Sequence, residues 1–218
     1  MRFFSPLPPV YRLVCKLLNW GLRILFRMEL RGLENIPRSG ACILAANHAS
    51  FLDPPAVATG IRFRMVHYMA RDTLFHNWFL GWLLPRVGVI PINRNKGDLA
   101  ALRTGIRVLQ EGHILGVFPE GTRTLDGQLQ PPKGGIGFLI VKSKSPVVPC
   151  YVAGSYDAWP KGRSLFRCHK LRVFYGPVIT AEEIRVEAAG RPSDAYLAVA
   201  ELIMARIAAL RDQARRET

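Results

Sequence analysis

From Met28 onward the chain alternates short apolar runs with segments of helical periodicity, and no other feature narrows its fold so far. The runs Met28–Leu33, Ala41–Ala46, Met65–Ala70, Val87–Ile92, Ile114–Phe118, Val147–Ala153 and Leu171–Tyr175 have the length and edges of strands. Between them, Pro54-Pro55 suits the first turn of a helix, where no amide hydrogen bond is missed. Phe75–Leu84 reads as a helix closed by Pro85. Asp98 is placed to cap a helix with Leu99, Leu102, Ile106 and Leu109 on one face and Gly112 beyond its end. Gly137–Ser143 is expected to be helical. Ser193–Arg211 is predicted as an amphipathic helix with a serine cap and an apolar face of Tyr196, Val199, Ile203, Ile207 and Leu210. This alternation predicts an α/β fold: a single domain with a largely parallel, mixed sheet flanked by helices. No internal repeat or linker marks a second domain.

Ligands of such sheets bind in the crevice outside the carboxyl ends of the strands. His48, Arg94 and the run Glu120-Gly121-Thr122-Arg123 each fall just past a predicted strand. Asp53 follows His48 closely enough for a turn to bring its carboxylate back to the imidazole and fix the tautomer. Taken alone, that pair equally describes a histidine capping a turn. The arginines offer planar, permanently charged donors suited to a phosphate, and Gly121 lets backbone approach closely. Ser50 is read as structural. His67, His76, His113 and His169 show no metal-ligand spacing, so no metal is expected. The four cysteines lie far apart and spell neither a metal site nor a disulfide frame, which favours a reducing compartment.

The net charge of +14 calls for an anionic partner. Tyr11–Arg27 is interrupted by Lys16 and Arg23, so it does not read as a bilayer span. Wound as a helix, it gathers Arg12, Lys16, Arg23 and Arg27 into a stripe about 60° wide, with Trp20 beside it and leucines, valine and isoleucine elsewhere. A broad apolar face with a basic edge suits a helix lying in the headgroup layer; a helix packed on its own domain is the plainer alternative. Residues 1–27 are therefore expected to form an N-terminal amphipathic, membrane-associating segment ahead of a catalytic α/β domain at 28–218. The stretch Lys161, Arg163, Arg167, Lys170 and Arg172 contains no acid and can meet anionic lipid, coenzyme A phosphates or an acidic carrier protein; a plain solvated loop is the alternative. Nothing resembles a nucleic-acid-binding signature.

Four blocks in order, Asn47-His48 to Asp53, Gly88 to Arg94, Phe118-Pro119-Glu120-Gly121-Thr122-Arg123 and Val147-Val148-Pro149, resemble the glycerolipid acyltransferase family, the 1-acylglycerol-3-phosphate (lysophosphatidic acid) acyltransferases. The resemblance covers roughly Met28 to Pro177. It implies transfer of a fatty acyl group from acyl-CoA or acyl carrier protein to the free hydroxyl of 1-acyl-sn-glycerol-3-phosphate, giving phosphatidic acid. It implies no cofactor besides that donor and a place on the cytosolic face of the membrane. His48 and Asp53 would be the catalytic pair, with Arg94, Glu120, Gly121, Thr122 and Arg123 binding substrate. Lys133 begins a lysine-glycine step that often follows the third block. Arg71 stands where many relatives carry lysine and would support the thioester carbonyl. Glu120 would orient an arginine or bind a glycerol hydroxyl. Acylation of an alcohol by a thioester needs a base for the hydroxyl proton and donors for the developing oxyanion, but no serine or cysteine nucleophile. A related enzyme acting on another lyso-lipid or an amino-acid lipid fits the same blocks, as does a catalytically idle lipid-binding module.

Overall fold

The structure, a computed structural model, describes residues 7–93 and 98–217. Its strands are β1 (Glu29–Arg31), β2 (Cys42–Ala46), β3 (Val66–Arg71), β4 (Val89–Ile92), β5 (Ile114–Val117), β6 (Val147–Ala153) and β7 (Arg172–Tyr175). Each predicted run overlaps one of them. They lie in the order β1-β7-β6-β2-β5-β3-β4. The five from β6 to β4 are mutually parallel, β7 runs antiparallel to β6, and β1 pairs parallel with β7. β2 is central because all five of its residues are buried, which only a strand covered on both faces allows.

The helices are α1 (Pro9–Phe26), α2 (Asp53–Thr59), α3 (Trp78–Arg86), α4 (Asp98–Gln110), α5 (Gly134–Ser143), α6 (Ser155–Ala158), α7 (Ala181–Gly190) and α8 (Ala195–Arg216). They divide between the two faces of the sheet. Leu44, Ala46 and Val148 pack with Leu22, Phe26, Ala56 and Val57 on one side. Ile43, Ala45 and Val147 pack with Leu109, Leu139, Val199, Ile203 and Ile207 on the other.

Several expectations need correction. Pro85 lies inside α3 rather than after it, and Asn77 caps that helix by accepting from the Phe79 and Leu80 amides at 3.0 and 3.1 Å. A proline in the last turn removes a single amide donor where the ladder is already ending. Ser193 does not cap α8. Pro192–Asp194 form a 3-10 turn, and the Ser193 hydroxyl faces the Asp194 carboxylate at 3.5 Å. Tyr196 and Leu99 are exposed rather than part of the apolar faces assigned to them. Asp98 is the first residue of α4, one position inside the helix it was expected to cap, and its side chain is not among the described ones. Helix α7 was not anticipated, although Thr180 and Glu183 form a reciprocal capping box at its start.

Helix α1 lies along α2 and reaches the sheet through an inward edge of Tyr11, Asn19, Leu22 and Phe26. The Tyr11 hydroxyl accepts the Val66 amide at 3.1 Å. Burying Leu22 and Phe26 contributes on the order of 1.5–3 kcal/mol each and holds the helix down. Leu13, Leu17, Trp20, Ile24 and Leu25 remain exposed, Trp20 at 67%. No helix among the described residues is long and apolar enough to cross a membrane.

Candidate active site

Parallel strands bring their carboxyl ends to one rim, and the turn after β2 meets the loop after β5 there. The Asn47 side chain straps this turn to β6, accepting the Val152 amide at 2.7 Å and donating to the Val152 carbonyl at 3.2 Å. His48 follows with its side chain 18% exposed. Its Nδ1 lies 2.9 Å from Asp53 Oδ2, which also accepts the Ala49 and Ser50 amides at 2.7 Å each. Asp53 occupies the first turn of α2 and is fully buried, so the carboxylate is aimed by the helix start rather than by side-chain flexibility. With Nδ1 donating to that carboxylate, the Nε2 lone pair is left for an incoming proton. The imidazole stacks on Phe118, ring centroids 4.0 Å apart.

The loop after β5 grips His48 from both sides. The His48 amide donates to Glu120 Oε1 at 2.8 Å, and the Thr124 amide donates to the His48 carbonyl at 2.8 Å. Glu120 Oε2 accepts the Gln130 amide at 3.1 Å. The arginine-orienting role expected of Glu120 is therefore not what the geometry provides: both of its oxygens meet backbone amides, and the side chain is buried. Burial raises its carboxyl to about 7 even though two amide donors favour the ionised form.

Gly121 turns the loop at φ +68°, where its amide donates to the Phe118 carbonyl at 2.9 Å. A Cβ there would lie 2.7 Å from Lys133 Cδ, so the missing side chain is what lets the Lys133 stem cross the loop. The Lys133 amide donates to the Pro119 carbonyl at 2.9 Å, and its side chain is exposed. Arg123 lies over the Phe51 ring at 3.5 Å, with Nη1 buried and without a hydrogen-bond partner among the described residues. Burial lowers its affinity for the proton, and Asp53 opposes that. Asp53 Oδ1 and the Tyr68 hydroxyl are also buried without hydrogen-bond partners among the described residues. The Tyr68 ring lies beside Phe118 and over Gly116, whose lack of a side chain admits it.

Thus His48, Asp53, Glu120, Gly121, Arg123 and Lys133 share one connected rim. Thr122 is exposed on it, Arg71 ends β3 and is exposed, and Arg94 lies outside the described residues. Ser50 is structural as expected: its hydroxyl donates to the Trp159 carbonyl at 2.7 Å and accepts the Leu52 amide at 3.1 Å. Sequence reasoning missed the Phe118 stack, the Phe51 platform and Tyr68. Only Phe118 carried a signal, through its place in the Phe-Pro-Glu-Gly-Thr-Arg run.

Residues 27–153 match a family model described as Acyltransferase. The 1-acyl-sn-glycerol-3-phosphate acyltransferase of Bacillus subtilis is 32% identical over 143 residues, covering 66% of this chain and 69% of that one. A chloroplastic protein of the same description from Brassica napus is 30% identical over 141 residues, 63% of this chain, which spans only 40% of that longer protein. The crystal structure of the 1-acyl-sn-glycerophosphate acyltransferase from Thermotoga maritima superposes with a TM-score of 0.73 at 26% identity, covering 92% of this chain and 81% of that one. A model spanning more than half of the sequence, and a relative covered over two thirds of its length, show that this chain belongs to the acyltransferase family.

Proposed function

We propose that this protein transfers a fatty acyl group from an acyl thioester, of coenzyme A or acyl carrier protein, to the free hydroxyl of 1-acyl-sn-glycerol-3-phosphate, forming phosphatidic acid on the cytosolic face of a membrane. The observation that carries this reading is the contact between His48 Nδ1 and the buried Asp53 carboxylate at the sheet rim, beside Arg123, whose Nη1 has no hydrogen-bond partner among the described residues. The relatives' descriptions supply the acceptor.

His48 Nε2 takes the hydroxyl proton as the alcohol oxygen attacks the thioester carbonyl. The tetrahedral oxyanion then collapses, breaking the carbon–sulfur bond, and the imidazolium returns the proton to the departing thiolate. Arg123, with Arg94 and Lys133, balances the acceptor's phosphate, and Arg71 supports the donor's carbonyl. Helix α1 lies on the bilayer through its exposed apolar residues, flanked by Arg12, Lys16 and Arg23.

The test offers purified protein lysophosphatidic acid with each donor and identifies the product by mass spectrometry. His48→Ala is expected to slow turnover about 10²–10⁴-fold with the fold retained. Full-speed acylation by that variant, or no phosphatidic acid from either donor, refutes the reading.

A further inference from the structure

The segment between α6 and β7 belongs to no part of the chemistry described above, yet it is built like a membrane probe. Residues 161–170 are all exposed, and no acid occurs between Asp157 and Glu182. Lys161, Arg163 and Arg167 supply positive charge around an apolar tip of Leu165 and Phe166, with Leu165 77% exposed. Two adjacent exposed apolar side chains set among cations are a combination that the headgroup layer accepts at once.

The tip is also held rigidly. The Arg167 amide donates to the Ala158 carbonyl at 2.7 Å, and the Trp159 indole donates to the Arg163 carbonyl at 2.9 Å. Phe166 lies 5.4 Å from Phe26, the last residue of α1, and 6.1 Å from Trp159. Trp159 lies 5.8 Å from Phe51, the ring under Arg123. The loop thus joins the end of α1 at Phe26, next in sequence to the exposed Ile24 and Leu25, to Phe51 beside the His48 site.

We infer that residues 160–170 form a second membrane-contact element, which inserts Leu165 and Phe166 between anionic headgroups and seats the active-site mouth against the bilayer. This rests on the membrane placement proposed for α1. Continuity with that helix and the apolar tip favour a lipid surface over an acidic carrier protein, which would need the charges but not the tip; Lys170, already paired with Glu29 at 2.6 Å, is not among these charges.

Vesicle flotation distinguishes these cases, using phosphatidylcholine vesicles with and without phosphatidylglycerol. The proteins compared are wild type, Leu165→Asp, the pair Arg163→Ser/Arg167→Ser, and Trp20→Asp in α1. Leu165→Asp is expected to weaken binding to both vesicles about tenfold, the worth of burying one leucine. Its activity on a short-chain, water-soluble acceptor should stay unchanged, which also reports an intact fold. The arginine pair should weaken binding only to anionic vesicles, by about fivefold per charge. Wild-type binding by both loop variants, with loss in Trp20→Asp alone, overturns the loop's role while leaving α1 on the membrane. Arginine variants that float normally but show a raised KM for an acyl carrier protein donor overturn it in favour of a carrier site. If wild type fails to float, both the loop and the α1 placement fall.

Discussion

Glu120 commits both carboxylate oxygens to backbone amides, one of them the amide of the residue expected to act as base. In Glu120→Gln a single amide oxygen can accept one of these hydrogens while the NH2 group opposes the other. The expected cost is about 1–3 kcal/mol, read as a lower urea midpoint, together with a fall in kcat of at least tenfold and little change in KM. The same residue carries a pH signature. Its carboxyl titrates at about 7 in the fold, whereas an unfolded glutamate titrates at about 4.3, so the native state binds the proton more tightly. Its contribution to stability is therefore complete below about pH 4 and is lost as pH rises through about 7. Thermal melts across that range should show a decline in wild type that is absent in Glu120→Gln, which has nothing to titrate there. The local pattern Glu-Gly-Thr-Arg could be read as a turn with charges. That the glutamate faces inward could not, because its partners are amides 72 and 10 residues away.

Among the elements, the strands were the most legible, and the central pair β2 and β5 are short apolar runs buried throughout. Helix ends were less so. Ser193 looked like a cap, but Pro192 starts a 3-10 turn that postpones α8 to Ala195. Helix α7 escaped notice because it buries only Ile184, so it presents little apolar periodicity. Its stability leans instead on the Thr180–Glu183 box. Thr180→Ala should lower unfolding free energy by about 1 kcal/mol, seen in urea titration, with acyl transfer unaffected because the cap lies outside the site. Helix α1 forms within the expected segment, and its inward edge packs it on its own domain, as the plainer of the two alternatives required. Leu22, one of the leucines off the basic stripe, faces the core, and Asn19 accompanies it there, its Oδ1 accepting from Arg23 Nε at 3.1 Å.

At the scale of the whole molecule, the proposed membrane placement draws on both a charge of +14 and the exposed apolar residues of α1. Counter-charge attraction between exposed groups is screened beyond about 10 Å at 0.1 M salt, whereas apolar insertion is not. Binding to phosphatidylglycerol-containing vesicles should therefore weaken steeply between low and physiological ionic strength. Binding to pure phosphatidylcholine vesicles should stay nearly constant. Flotation at the two salt levels measures both, and equal salt dependence would mean that charge alone governs attachment.

The sequence by itself determined the layered α/β plan, because the period of apolar residues is a local property that each strand and most helices carry within themselves. It also determined which residue types lie past the strand ends, since those follow directly from where each apolar run stops. Only the tertiary structure decided what these residues do to one another. Asp53 reaching back to His48 needed the turn's conformation, and Glu120 holding the His48 amide needed β2 beside β5. The Phe26–Phe166 contact needed strands β1 and β7 to meet at the sheet edge. Such contacts depend on which elements become neighbours, and that is set by the summed packing of two apolar layers rather than by any one stretch of chain.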